Sequence, residues 1–367
     1  MQPFALERYF SKYEFSAKYI LSASDCESLT MRELLSMADS ESLRLWDDLK
    51  LSYTETLGYP MLREEISKLY RSVLPDQILV AAPEELIFIA MHALLRRGDR
   101  IIATTPAYQS LHEIATTIGC RIERWELQPT NDGWRLDLQF LADHVSHDTK
   151  LIIINFPHNP TGHQLSLDAQ RTILQIARNH SIPIFSDEMY RGAEYRSEDR
   201  LPAIADEYEL GISLWGLSKS FALPGLRIGW LAAKNAKFLA ACSGMRDYLT
   251  ICNSAPGEIL GLIALRNEDQ ILQRTRTIIS RNLDIAESFF GRHSESFTWL
   301  KPKAGSVAFP FLAKHLSIEE FCRKLVEQKS LLITPGSLFQ YPGNHFRIGI
   351  GRTNFSEALS LLEESLS

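Results

Sequence analysis

Three apolar runs, each closed by a turn, limit what this chain can become. "DRIIATTPAYQSL", "KLIIINFPHNPTG" and "IPIFSDEMYRG" carry their Ile, Leu and Phe without the polar alternation of a half-exposed strand, so both faces of each require cover. Between the last two lies "LSLDAQRTILQIARNH", in which Ile173, Ile176 and Ala177 mark one helix face. Strand, helix and strand in this order predict a βαβ unit of an α/β fold, a mostly parallel sheet sandwiched by helices. The run "GISLWGLSKS" predicts another strand of it. Upstream, Leu62, Ile66, Leu69 and Tyr70 predict a helix over 61–74, and Pro83 with Glu84 and Glu85 opens a second in "APEELIFIAMHALL".

Past residue 255 the rhythm changes. A long helical stretch precedes "FTWLKPKAGSVAFPFL"; Ser317 and Glu320 form a capping box at the head of "SIEEFCRKLVEQK", and "LLITP" and "HFRIGIG" read as strands. A chain of 367 residues exceeds what one core holds comfortably. The expected organisation is a large domain over 51–254 and a smaller α+β domain over 255–367, completed by an N-terminal segment, 1–50.

With a net charge of -6, the chain shows no electrostatic footprint for nucleic acid or for an anionic membrane surface. Its first twenty residues mix charges with aromatics, predicting neither a signal peptide nor a membrane span and hence a cytoplasmic protein. Five scattered cysteines without a CxxC pair argue against a disulfide framework or a metal site.

Ligands of open parallel sheets bind beyond the carboxyl ends of the strands. Asn159, Asp187 and Lys219 each follow an apolar strand within a few residues, so an amide, a carboxylate and an amine should meet at one rim. Taken singly, each has a plainer reading: Lys219 as a solvated loop lysine, Asp187 with Glu188 as a helix cap, Tyr108 as a core aromatic, Arg347 as a sheet-edge arginine.

The segments "LSYTETLGYPMLREEI", "PAYQSL", "NFPHNPTG", "FSDEMY", "SKSFALPGLRIGW" and "FRIGIGR" resemble, in order and spacing, those of the class I/II aminotransferases, fold type I enzymes that use pyridoxal phosphate. The resemblance implies that Lys219 forms a Schiff base with the cofactor and moves a proton at Cα, and that Asp187 faces the pyridine nitrogen. It further implies that Asn159 and Tyr190 bond the phenolic oxygen, that Tyr108 stacks on the ring, and that Ser218 and Arg227 hold the phosphate. Tyr53 resembles a phosphate ligand given by the neighbouring subunit, which implies a homodimer with shared active sites. Arg347, with Asn159, matches the clamp on the substrate α-carboxylate.

Around the phosphate the chain departs from the family. Ala82, Pro83 and Glu84 stand where a small and hydroxyl-bearing turn is usual, and Gly216 replaces a common hydroxyl, so the backbone N–H of Glu84 at the helix start is expected to share the load. His158 and His163 are expected to be structural, and Arg246 and Arg352 to be surface or dimer residues.

The implied reaction is transfer of an amino group from an amino acid to a 2-oxo acid by a ping-pong mechanism. The motifs "NFPHNPTG", "PAYQSL", "LPGLRIGW" and "RDYLT" also resemble the capreomycidine synthases, pyridoxal-phosphate enzymes that eliminate and cyclise a hydroxyarginine, so a lyase or cyclase is the alternative. An aminotransferase-like effector domain of a regulator is disfavoured, because the first motif starts near residue 50 and leaves too little chain for a winged helix.

Overall fold

Eight strands make one sheet: β1 Ile78–Ala81, β2 Arg100–Thr105, β3 Arg121–Thr130, β4 Gly133–Leu136, β5 Thr149–Asn155, β6 Ile184–Asp187, β7 Gly211–Gly216 and β8 Gly229–Ala233. Across the sheet they run β1-β8-β7-β6-β5-β2-β3-β4. Strands β3, β2, β5, β6 and β7 are parallel neighbours; β8 lies antiparallel between β7 and β1, and β4 returns antiparallel along β3. The computed structural model describes residues 1–313 and 316–366.

The four expected strands are β2, β5, β6 and β7. The other four escaped notice for physical reasons: β3 alternates charged with apolar residues, as suits its partial exposure, and β8 is built largely of small residues.

Period-2 alternation divides the apolar side chains between two faces. Leu151 and Ile153 of β5 pack with Ile101, Phe185 and Leu214 beneath helix α2, Pro83–Leu94, while Ile152 and Ile154 pack on the other face with Ile173 of helix α3, Leu167–His180. Pro83 occupies the first turn of α2, as expected, and Ser166 caps α3 by accepting from the N–H of Ala169.

The helix expected over 61–74 is shorter, Pro60–Ser67. Lys68, Leu69 and Tyr70 then bond three residues back, so the apolar side continues after the α-helix stops. Tyr70 is buried there and its hydroxyl accepts from Trp230 Nε1 at 2.8 Å.

After a 25-residue helix, Glu268–Arg292, strand Phe346–Gly349 pairs antiparallel with both Val307–Ala308 and Thr334–Pro335. The run "LLITP" is divided between Leu331–Leu332, which pairs with Tyr19–Ile20, and Thr334–Pro335. Ser317 caps the helix that follows it, its hydroxyl accepting from the N–H of Glu320 at 3.2 Å. The first fifty residues spread over three apolar clusters: Leu21 and Cys26 join Phe346 and Ile348, Leu34 joins Leu62 and Ile66, and Leu6 joins Trp125. Among the described residues no helix is long and apolar enough to cross a membrane.

The segment around Ala23 is laid directly on Gly349, whose N–H donates to the carbonyl of Leu21 at 2.6 Å. A Cβ at 349 would stand 1.6 Å from the carbonyl oxygen of Ala23, a clash with backbone that no rotamer relieves. Gly349→Ala is therefore expected to lower stability by about 2–3 kcal/mol, read as an earlier urea midpoint. Gly291→Ala, in a helix with open space around its Cβ, should be neutral or stabilising by up to about 1 kcal/mol; equal midpoints for the two variants would refute the packing argument.

Candidate active site

Strand register sets the floor of the site. Asn155 at the end of β5 lies opposite Asp187 at the end of β6, and Asp187 lies opposite Leu214 of β7, so the segments leaving these strands emerge at one edge. There a cavity of about 580 Å³ opens, and Asn159, Asp187, Tyr190, Ser218, Lys219, Arg227 and Arg347 all line it, together with Tyr108 and Glu84. Nine of the ten expected site residues thus meet in one place, from parts of the chain far apart in sequence. Tyr53 does not; it is 85% exposed and lines a separate groove beside Glu41, Arg44 and Tyr59.

Each side chain is positioned by identifiable bonds. Asn155 holds two turns at once: its Nδ2 donates to the carbonyl of Asp187 at 2.9 Å, and its Oδ1 accepts from the N–H of Asn159 at 2.9 Å. Asp187 Oδ1 accepts from the N–H of Met189 at 3.0 Å. Glu188 points the other way, accepting from Ser213 Oγ and the N–H of Ile204, which leaves Asp187 alone to face the cavity. Arg227 closes the short turn Pro224–Leu226 in the left-handed conformation, φ 55°, and donates to the carbonyl of Pro224 at 3.0 Å from the cavity's edge.

The amine of Lys219 is buried and donates to Ser24 Oγ at 2.8 Å. Burial lowers its pKa, with Arg347 acting in the same direction and Asp25 and Glu7 opposing. Burial likewise raises the Asp187 carboxyl to about 7, against the pull of the Met189 N–H and of Lys219. Arg347 is 1% exposed; its Nη1 donates to Asn159 Oδ1 and its Nη2 to the carbonyl of Ser22, both at 3.1 Å. The guanidinium lies 5.8 Å from the ring of Phe10 and 5.1 Å from that of Phe339. Tyr108 donates to Glu7 Oε1 at 2.9 Å, and its ring stands 4.9 Å from that of Phe4.

Sequence reasoning missed the lid. Helix α1, Ala5–Tyr13, with the residues flanking it brings Phe4, Glu7, Phe10 and Glu14 to the cavity, spaced three, three and four apart, and the following segment adds Ser24 and Asp25. That spacing was the available signal, since it puts two aromatics and two carboxylates on one helical face. One arginine needs correction. Arg246 is fully buried, donating to the carbonyls of Thr56 and Val80 and to Asn253 Oδ1, because the backbone there presents acceptors that a guanidinium satisfies. Arg352 is partly exposed and pairs with Asp25 at 2.8 Å, which anchors a cavity residue. His158 is buried, bonded to Thr161 Oγ1 at 2.7 Å, with burial and the neighbouring His163 lowering its pKa to about 3.

The profile of the aminotransferase class I and II family matches residues 21–359. Capreomycidine synthase of Streptomyces vinaceus is 27% identical, over 98% of this chain and 93% of that protein. The crystal structure of a PLP-dependent aminotransferase from Streptococcus suis superposes with a TM-score of 0.93 at 29% identity, covering 100% of this chain and 97% of the other. That of the PLP-dependent cyclase OrfR gives 0.92 at 26%, covering 99% and 97%.

The donor set of the cavity fits pyridoxal phosphate. A buried amine stands near a buried carboxylate, and Ser218 Oγ and Arg347 Nε, both buried, have no hydrogen-bond partner among the described residues, which suits a ligand bringing acceptors. The chain is a pyridoxal-phosphate-dependent enzyme of fold type I, and it belongs to the class I and II aminotransferase family.

Proposed function

We propose that the protein is an aminotransferase that moves an amino group from an amino acid to a 2-oxo acid by a ping-pong mechanism. The observation that carries this reading is the convergence of Lys219, Asp187 and Arg347 on one cavity, with the amine buried and its pKa lowered. When bound, pyridoxal phosphate supplies an aldehyde that condenses with amines and a ring that accepts the electron pair left at Cα.

The chain's own residues do the rest. Lys219 would hold the aldehyde end and move the proton at Cα, a task that burial favours by lowering the pKa of its amine. Asp187 would ionise beside a cationic ring nitrogen and hold the proton there. Asn159 and Tyr190 would donate to the phenolic oxygen, and Tyr108 would hold the face of the ring. Ser218, Arg227 and the N–H of Glu84 would hold the phosphate. Arg347 and Asn159 hold the substrate carboxylate; Asn159 already orients that guanidinium.

The reading includes a homodimer in which Tyr53 of a second copy reaches the phosphate. Leu51 and Tyr53, at 84% and 85% exposure, and Tyr248, at 90%, are the apolar surface that supports it. It also takes 51–254 as the cofactor-binding domain and 255–367, with the N-terminal segment, as the small one. Five free cysteines suit a reducing, cytoplasmic compartment, and the proposed reaction belongs to amino acid metabolism.

A second reading, elimination or cyclisation of an amino acid, draws on the similarity to capreomycidine synthase and OrfR. Under either reading Glu7 and Glu14, held over the cavity by α1, favour an amino acid whose side chain carries positive charge.

Lys219→Ala should lower turnover at least about 10³-fold while leaving the melting temperature nearly unchanged; retained turnover would refute the reading. A panel of lysine, ornithine, arginine, alanine and aspartate separates the two reactions. Conversion of the bound cofactor to its amine form, followed by absorbance, marks transfer, whereas release of ammonia without that conversion marks elimination. Arg347→Ala should lower kcat/KM by roughly 30- to 160-fold, the loss of about 2–3 kcal/mol of charge-assisted bonding, for the amino acid and the oxo acid alike.

A further inference from the structure

The end of the cavity proposed for the phosphate holds a group that an anion site would not be expected to contain. Glu84 follows Pro83 in the first turn of α2 and lines the cavity with Ser218 and Arg227, and the adjoining outer groove with Ser110. Ser110 Oγ donates to Glu84 Oε2 at 3.3 Å. The charged and titratable groups facing it are Glu7 and Tyr108, Asp187 at the end of β6, and Arg227, while Glu85 and Glu113 line the groove on its outer side. Arg227 is the cation among them. Burial, then the charges of Glu7 and Asp187, push the Glu84 carboxyl up to about 7, against Ser110 and Arg227. Ser218 Oγ, at 6% residue exposure, has no partner among the described residues and marks the same end of the cavity as a place for a ligand.

A phosphate dianion and a carboxylate within hydrogen-bond reach repel each other, and one shared proton turns the repulsion into a bond. We infer that Glu84 binds the cofactor phosphate as a neutral acid, its O–H donating to a phosphate oxygen, so that cofactor binding at alkaline pH takes up one proton from solvent. This rests on the cofactor orientation proposed above. The sign follows directly. Below about pH 7 the carboxyl already carries its proton and adds no pH dependence. Above it, each pH unit requires the proton to be recovered, and affinity falls by up to tenfold per unit. The phosphate's own second ionisation, near pH 6, lies below this window.

The test measures the Kd of pyridoxine 5′-phosphate between about pH 7 and 9 by quenching of tryptophan fluorescence. This ligand has an alcohol in place of the aldehyde and so binds beside Lys219 without a covalent bond. Pyridoxine, which lacks the phosphate, reports the titration of the ring and of Asp187 alone. With the wild-type protein, the phosphate ester should lose affinity by up to tenfold per pH unit more than pyridoxine does. Glu84→Gln keeps a donor that does not titrate, so it should abolish that excess slope and bind the ester more tightly than wild type at pH 9. An equal excess slope in the two proteins, or none in the wild type, would overturn the inference, and the wild-type comparison decides even if the variant fails to fold. Pyridoxal phosphate itself is the control for the underlying reading: if it gives the wild type no visible absorbance that Lys219→Ala lacks, the proposed function fails, and not the role of Glu84 alone.

Discussion

The whole site depends on the register of three parallel strands. Asn155 opposite Asp187, and Asp187 opposite Leu214, put one amide and one carboxylate side by side at the sheet edge and deliver Lys219 beside them three residues after β7 ends. A slip of one residue in β6 would turn Asp187 to the opposite face and bring Glu188 toward the cavity in its place. Asn155 guards against this by bonding the carbonyl of Asp187 and the N–H of Asn159 together. It touches the cavity through neither bond, yet both turns hang on it.

The second requirement is that the opposite wall be brought across. Arg347 comes from the short sheet of the C-terminal region, and burying a guanidinium demands acceptors for its donors. Two of these come from Asn159 and from the carbonyl of Ser22, the rings of Phe10 and Phe339 lie against the guanidinium, and Tyr190, Tyr108, Glu7 and Asp25 act on its charge. The arginine therefore ties together the sheet edge, the N-terminal segment and the small sheet. Ser24 repeats the pattern, accepting from Lys219 while its carbonyl accepts from Ser306 Oγ at 2.7 Å. The N-terminal segment is a structural member of the site, and the bareness of Gly349 is what lets it lie there.

This explains which parts could be read from the sequence. Residues at the ends of apolar strands were legible, because the direction of a parallel sheet says where its loops gather, and the motif resemblance assigned each a place. Helix α1 was not. An amphipathic helix of nine residues shows that one face is covered but not by what, and Ser24 lies 195 residues from the lysine it bonds. Arg246 was misjudged for a related reason: two of its acceptors are backbone carbonyls, which every residue has and no side-chain pattern reveals. The antiparallel strand β8 was hidden by its small residues, whose use becomes clear only beside their neighbours.

Those neighbours link two departures from the family that look independent in sequence. Gly216 and Gly229 are paired across β7 and β8, and the ring of Pro83 rests on both: a Cβ at 229 would stand 2.7 Å from Pro83 Cγ, and one at 216 would stand 2.8 Å from the Cα of Gly229. Proline at 83 and glycine at 216 are thus one packing arrangement. The backbone of Ile228 and Gly229, on which the proline ring rests, fills the space that a hydroxyl-bearing side chain at 216 would need, and the proline removes an N–H from the first turn of α2. Under the proposed cofactor orientation two phosphate donors are lost together, and Ser218, Arg227 and the side chain that follows the proline would take their place. In that role a carboxyl would serve only while it carries a proton, and burial, with the charges of Glu7 and Asp187, pushes the Glu84 carboxyl toward that form.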